Sequence, residues 1–116
     1  MIKIVYSPLS LNDLASIRDY IYFDLANPMA AERTVRNIIN KVRLLEGAPE
    51  IGTPLSSICD VDTDYRFLVC KNHLVFYRYE DAQRSAYIIR ILYGRSNYLA
   101  TLFGESLEGD TNDLFF

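Results

Sequence analysis

An α+β domain is predicted by three observations. One short alternating segment opens the chain, two helical stripes follow it back to back, and three β-rich segments separated by tight turns fill most of the second half. Helices and strands grouped in runs place their layers side by side in α+β fashion. Turns too short for a crossover make the last three strands an antiparallel meander. The composition agrees: 116 residues, half of them apolar and 23% charged, are those of one globular domain and not of a disordered chain. A fold of this length buries about two-thirds of the surface its unfolded chain exposes, so it needs no covalent staple.

Ile2, Ile4 and Tyr6 alternate with Lys3 and Val5 as in a strand. Ser7-Pro8 then supplies a helix cap followed by proline at the first helical position. Leu11, Leu14, Ile17, Ile21 and Leu25 recur at spacings of 3, 3, 4 and 4, one face of a helix over 8–25. Asn27-Pro28 repeats the cap signal. Ala31, Val35, Ile38, Ile39, Val42 and Leu45 mark a second helix, and Gly47 is expected to end it in the left-handed conformation. So short a connection makes the two helices an antiparallel hairpin.

Residues 48–62 hold Pro49, Gly52 and Pro54 and are expected to be a loop with a helical turn at its start. Tyr65–Cys70, His73–Tyr79 and Ala86–Tyr93 are aromatic and β-branched and read as strands. Lys71-Asn72 fits a two-residue hairpin turn, with asparagine expected at positive φ. Asn97–Phe103 is expected to form a short closing helix, and Gly104 to end the domain. The order is β-α-α-β-β-β, with the hairpin packed on an antiparallel sheet and the first strand at its edge or in its middle. Residues 1–104 form the domain and 105–116 an acidic tail expected to be flexible, with Phe115 and Phe116 either exposed or docked.

Twelve basic and 15 acidic residues leave a net charge of −3, unevenly spread. Residues 1–64 carry six basic and nine acidic groups, residues 65–104 six and two, and residues 105–116 four acids and no base. The cationic second half suits a polar or anionic partner, although a dedicated nucleic-acid binder would be more basic overall. With Cys59, Cys70 and the single His73, the chain lacks a Cys/His zinc pattern, so no metal or cofactor is expected and both thiols are expected in the core. No apolar run reaches the roughly 18 residues of a membrane span. The opening is too short and too lightly charged for a signal peptide, so a cytoplasmic location is expected.

Three stretches together resemble the RelE/ParE superfamily, the toxins of bacterial type II toxin–antitoxin modules, with the ParE branch closer. They are Ser7-Pro8 with Asp13-Leu14, Ile17 and Tyr20-Ile21; then Pro28, Ala30-Ala31, Ile38 through Leu45 and Pro49-Glu50-Ile51-Gly52; then Tyr65–Leu68, Leu74–Arg78 and Ile88–Arg95. The resemblance implies a compact sheet carrying a helical hairpin. It implies a plasmid-stabilisation type of toxin in complex with a cognate antitoxin. ParE-type members inhibit DNA gyrase, whereas RelE-type members act on the ribosome as mRNA interferases. Toxins that have lost activity but still bind antitoxin are a third reading.

Cutting RNA through its 2′-hydroxyl needs a base, an acid and cations around the phosphorane. The residues the resemblance aligns with that role are Arg66, Arg95 and Tyr98, the catalytic set if the chain is a nuclease. Leu68 and Leu74 stand where nuclease members carry cations, and Ser96 replaces a second basic residue after Gly94. That departure favours a binding protein over an enzyme. Arg66, Arg78, Arg90 and Arg95 are the expected target contacts. Arg66 is otherwise expected to pair with Asp60, Asp62 or Asp64, and Arg78 and Arg90 with Glu80 or Asp81. Lys71 is expected in solvent, His73 in a structural role, and Tyr98 either in the core or in proton transfer. For the antitoxin, Leu14, Ile17, Ile21, Val35, Ile38 and Val42 are expected to offer an apolar groove to an amphipathic helix and an added strand.

Overall fold

The computed structural model describes residues 1–104, 110–111 and 113–114. Most of the acidic tail, including Phe115 and Phe116, lies outside the described residues. Strand β1 (Lys3–Tyr6) leads into helix α1 (Pro8–Asp19), which widens into one π-turn (Tyr20–Asp24). Helix α2 (Pro28–Arg43) tightens at its end into a 3₁₀ turn (Leu44–Glu46). Strands β2 (Thr53–Pro54), β3 (Arg66–Cys70), β4 (His73–Glu80) and β5 (Ser85–Tyr93) follow, then helix α3 (Tyr98–Phe103). Beyond it Asp110–Thr111 pairs with Asp113–Leu114.

The five strands lie in the order β1-β5-β4-β3-β2. The chain starts at one edge, crosses through the hairpin to the opposite edge, and returns strand by strand until β5 lies parallel to β1. The hairpin covers one face. Leu14, Ile38, Val42 and Leu45 pack there against Leu68, Val75, Tyr77, Ala86, Ile88 and Ile91. The other face carries a smaller aromatic cluster: Phe76 is fully buried, with the rings of Phe67 at 6.2 Å and Tyr98 at 5.3 Å. Helix α3 therefore closes the side of the sheet that the hairpin leaves open.

The helix starts form as their residue types dictate. Ser7 Oγ accepts the Ser10 N–H (3.0 Å) and Asn27 Oδ1 accepts the Ala30 N–H (3.1 Å), each with proline next in the chain. Four expectations are corrected. Leu11 and Leu25 are 52% and 55% exposed, off the buried stripe. The π-turn, in which the Leu25 N–H reaches back to Tyr20, inserts a residue and rotates Leu25 away from the sheet. Gly47 has φ −105 and no left-handed role, because the 3₁₀ turn ends α2 before it. Lys71, not Asn72, carries the positive φ (56) of the hairpin turn. The 48–62 loop contains β2 and a 3₁₀ turn that seats Leu55 with no exposed surface. Cys70 is buried and Cys59 half-buried, both as free thiols.

Candidate functional site

The candidate arginines rise from β3, β4 and β5, and their neighbours decide what each can do. Arg66 does not pair with the preceding aspartates. Its Nη1 donates to the carbonyls of Glu50 (3.1 Å) and Gly52 (2.8 Å). Opposite it on β4, the Tyr77 hydroxyl accepts the Gly52 N–H (2.9 Å) and donates to the Pro49 carbonyl (2.8 Å). Burial pushes the Tyr77 phenol up, so it stays protonated as a donor. The turn 49–52 is thus clamped to the sheet from two strands. A Cβ on Gly52 would lie 2.6 Å from a Tyr77 ring carbon and 2.9 Å from the Phe67 carbonyl oxygen, so glycine is required for that approach.

Arg78 is held by Glu80 (2.9 Å) and Asp64 (3.2 Å). Arg90 makes a two-pronged pair with Asp13 of α1, at 2.8 and 2.9 Å, and not with the acids of the β4–β5 turn. Asp13 also accepts the Ile91 N–H (2.9 Å), and Ser7 Oγ donates to the Ile89 carbonyl (2.8 Å). Together these side chains answer the edge of β5 where β1, paired with Ser85–Ile88, has ended. The hydrogen bonds from Arg90 to Asp13 hold that guanidinium charged. Asp13 carries no local signal for this role in the sequence.

Arg95 is different. It is exposed in a turn closed by the Ser96 N–H to the Tyr93 carbonyl (3.0 Å), and no hydrogen bond or ion pair engages it among the described residues. Tyr98 packs on Phe76, on the α3 face. Arg66 alternates with Phe67, so it points to the opposite face, toward the 49–52 turn. The three residues of the nuclease set are not brought together. Leu68 is buried in the hairpin-facing core.

The expected antitoxin contacts divide in the same way. Leu14, Ile38 and Val42 are core residues under the hairpin, with Ile17 and Val35 packed against them. Val35 also lines a groove of about 610 Å³ on the hairpin, whose lining mixes apolar Tyr22, Met29 and Ile39 with charged Arg18, Glu32, Arg36 and Arg43. Met29 is 76% exposed. Ile21 instead faces a second cavity, of about 590 Å³, between α1, the β3–β4 turn and the end of β5. His73 lines that cavity, and burial lowers its pKa, so the ring is neutral at pH 7. Among the described residues no cluster of His, Cys, Asp and Glu is arranged to hold a metal ion. No helix among them is long and apolar enough to cross a membrane.

The family model for the ParE toxin of the type II toxin–antitoxin system, parDE, matches residues 4–98. The structure of a chromosomal ParDE toxin–antitoxin system from P. aeruginosa is similar with a TM-score of 0.66 at 22% identity, over 80% of this chain and 96% of that one. The RelBE2 toxin–antitoxin complex from Mycobacterium tuberculosis follows with a TM-score of 0.59 at 15% identity, over 79% of this chain and 96% of that one. The isolated E. coli RelE toxin matches with a TM-score of 0.56 at 10% identity, over 87% and 94% of the two chains. At these identities the likeness to solved structures is one of fold. No curated protein matches the chain.

Proposed function

Because the chain belongs to the ParE toxin family of type II toxin–antitoxin systems, we propose that it acts by binding, as an inhibitor of DNA gyrase neutralised by a cognate antitoxin. One observation carries the choice of binding over RNA cleavage. Arg66 and Tyr98 stand on opposite faces of the sheet, and Arg66 is tied to the Glu50 and Gly52 carbonyls. Cleavage through a 2′-hydroxyl needs acid, base and cation around one phosphate, within hydrogen-bond reach. Arg78 and Arg90 add little, since both are neutralised by carboxylates. A binding toxin needs none of that convergence.

The groove on the hairpin suits the antitoxin. Its mixture of apolar and charged lining residues suits an amphipathic helix laid in a groove. A supercoiling assay with purified gyrase tests the reading. The expected result is loss of supercoiling with accumulation of cleaved DNA. Unaffected supercoiling, together with mRNA cuts at the ribosomal A site in induced cells, would replace it with the RelE-like reading. Normal growth with both assays blank would mark an attenuated toxin.

A further inference from the structure

We propose that the pole of the molecule where the hairpin tip meets the β3–β4 turn grips the target protein, and that its occupant there is a segment with an apolar anchor side chain flanked by carboxylates. The proposal rests on the reading of the chain as a toxin that acts by binding, not on which protein it binds.

Four exposed apolar side chains lie at this pole. Tyr20, Phe23 and Leu25, from the π-turn and the residue after it, are 55%, 67% and 55% exposed, and Tyr93 at the end of β5 is 47% exposed. Tyr20, Leu25 and Tyr93 line one cavity, and exposed apolar side chains gathered in this way mark an interaction site. The π-turn creates it, since its extra residue turns Leu25 out of the core stripe, and such turns recur at functional positions. Beneath the tip the surface is concave. The cavity of about 590 Å³ is lined by Ile17, Tyr20, Ile21, Leu25, His73 and Tyr93. A smaller one of about 130 Å³ shares Ile21 and His73 with it and extends to Asn37 and Lys71. The pair form a groove of a size that accepts a large side chain and its neighbours.

Charge selects the occupant. Among the described residues no carboxylate lines either cavity. Lys71, in the left-handed conformation of the hairpin turn (φ 56), and Arg95, two residues beyond Tyr93, are both exposed and engage no hydrogen bond or ion pair among the described residues. The Gly94 N–H to Asn72 carbonyl bond (2.8 Å) brings their two turns side by side. Arg66, Arg78 and Arg90 are by contrast each engaged by carbonyls or carboxylates of the fold. Cations without a partner among the described residues, one lining the groove and one two residues beyond it, are complementary to an acidic, apolar segment. Nucleic acid fits less well, since a phosphate backbone calls for more than two cations. The antitoxin is provided for elsewhere on α1. Arg18 and Tyr22 line the hairpin groove, while Ile17, Tyr20 and Ile21 line this one.

Two variants test the proposal. Lys71→Glu with Arg95→Glu reverses the rim charge, and Tyr20→Ser with Leu25→Ser removes the apolar rim at constant charge. Each full chain is induced in a bacterial host with and without the co-expressed antitoxin gene, then purified for thermal melting and a supercoiling assay with gyrase. Both variants are expected to lose growth arrest, and to need at least ten-fold more protein to inhibit gyrase, while melting as the parent does. A charge-reversed variant as toxic as the parent overturns the proposal. So does one that stays toxic but escapes rescue by the antitoxin, which would assign the pole to the antitoxin. A parent that arrests growth without affecting gyrase refutes the gyrase reading alone, and the pole is then judged by growth. A parent that arrests nothing overturns the pole as well.

Discussion

Two regions of the sheet use similar residues to opposite ends. At the 49–52 turn an arginine and a tyrosine are consumed internally: Arg66 and Tyr77 answer carbonyls and an N–H, and Gly52 is pressed against a ring. At the pole where the hairpin tip meets the β3–β4 turn, an arginine, a lysine and several aromatics face solvent, with no partner for either cation among the described residues. The first arrangement spends polar groups on stability. The second leaves them for recognition, at the cost of exposed apolar surface. Residue type alone does not separate these roles; what each side chain is within reach of does.

The largest effect should come from the clamp. Tyr77→Ala removes a fully buried ring and both its hydrogen bonds, and is expected to lower stability by about 3–5 kcal/mol, measured by urea denaturation. Gly52→Ala, which forces a Cβ to within 3 Å of Tyr77 and the Phe67 carbonyl, should cost about 1–3 kcal/mol in the same assay. A cost near zero would mean the turn can lift off the sheet. Asp13→Ala strips Arg90 and the Ile91 N–H of their partner and should cost about 1–3 kcal/mol. Its effect should shrink when Arg90→Met is added, the sign of a shared interaction in a double-mutant cycle.

A smaller, pH-selective effect belongs to His73. Burial holds its folded pKa below the ordinary 6.5, so as pH falls the unfolded chain takes up the proton first. Stability should therefore decline as pH drops through about 6.5, and stop declining once the folded ring also charges. His73→Phe should remove that component from the pH profile. Smallest of all, Phe23→Ser at the tip should change stability by no more than about 0.5 kcal/mol. A large loss there would break the contrast between the two regions, because it would show the tip to be part of the packed fold.

Much of the architecture was legible before any coordinates. Ser7-Pro8 and Asn27-Pro28 mark the two helix starts because capping is a matter of a few adjacent residues. The three long strands follow from runs of aromatic and β-branched residues. β2 was not legible, since a two-residue strand has no period. Nor was the split among the arginines. The partner of Arg90 lies 77 residues away in sequence, and nothing near Asp13 announces it. The apolar stripe of α1 misled at Leu25 because a spacing rule assumes 3.6 residues per turn, and the π-turn does not keep it.

The sequence by itself determined the order of the helices and the four longer strands, the helix caps, the family and the excess of cations in the second half, because each depends on neighbours in the chain or on a linear pattern. Only the tertiary structure decided that β1 lies parallel beside β5, that Arg66, Arg78 and Arg90 are engaged while Arg95 has no partner among the described residues, and that Leu14, Ile38 and Val42 are core and not surface. Those outcomes depend on which distant segments come within hydrogen-bond and van der Waals range, and that distance is set by packing, not by position in the chain.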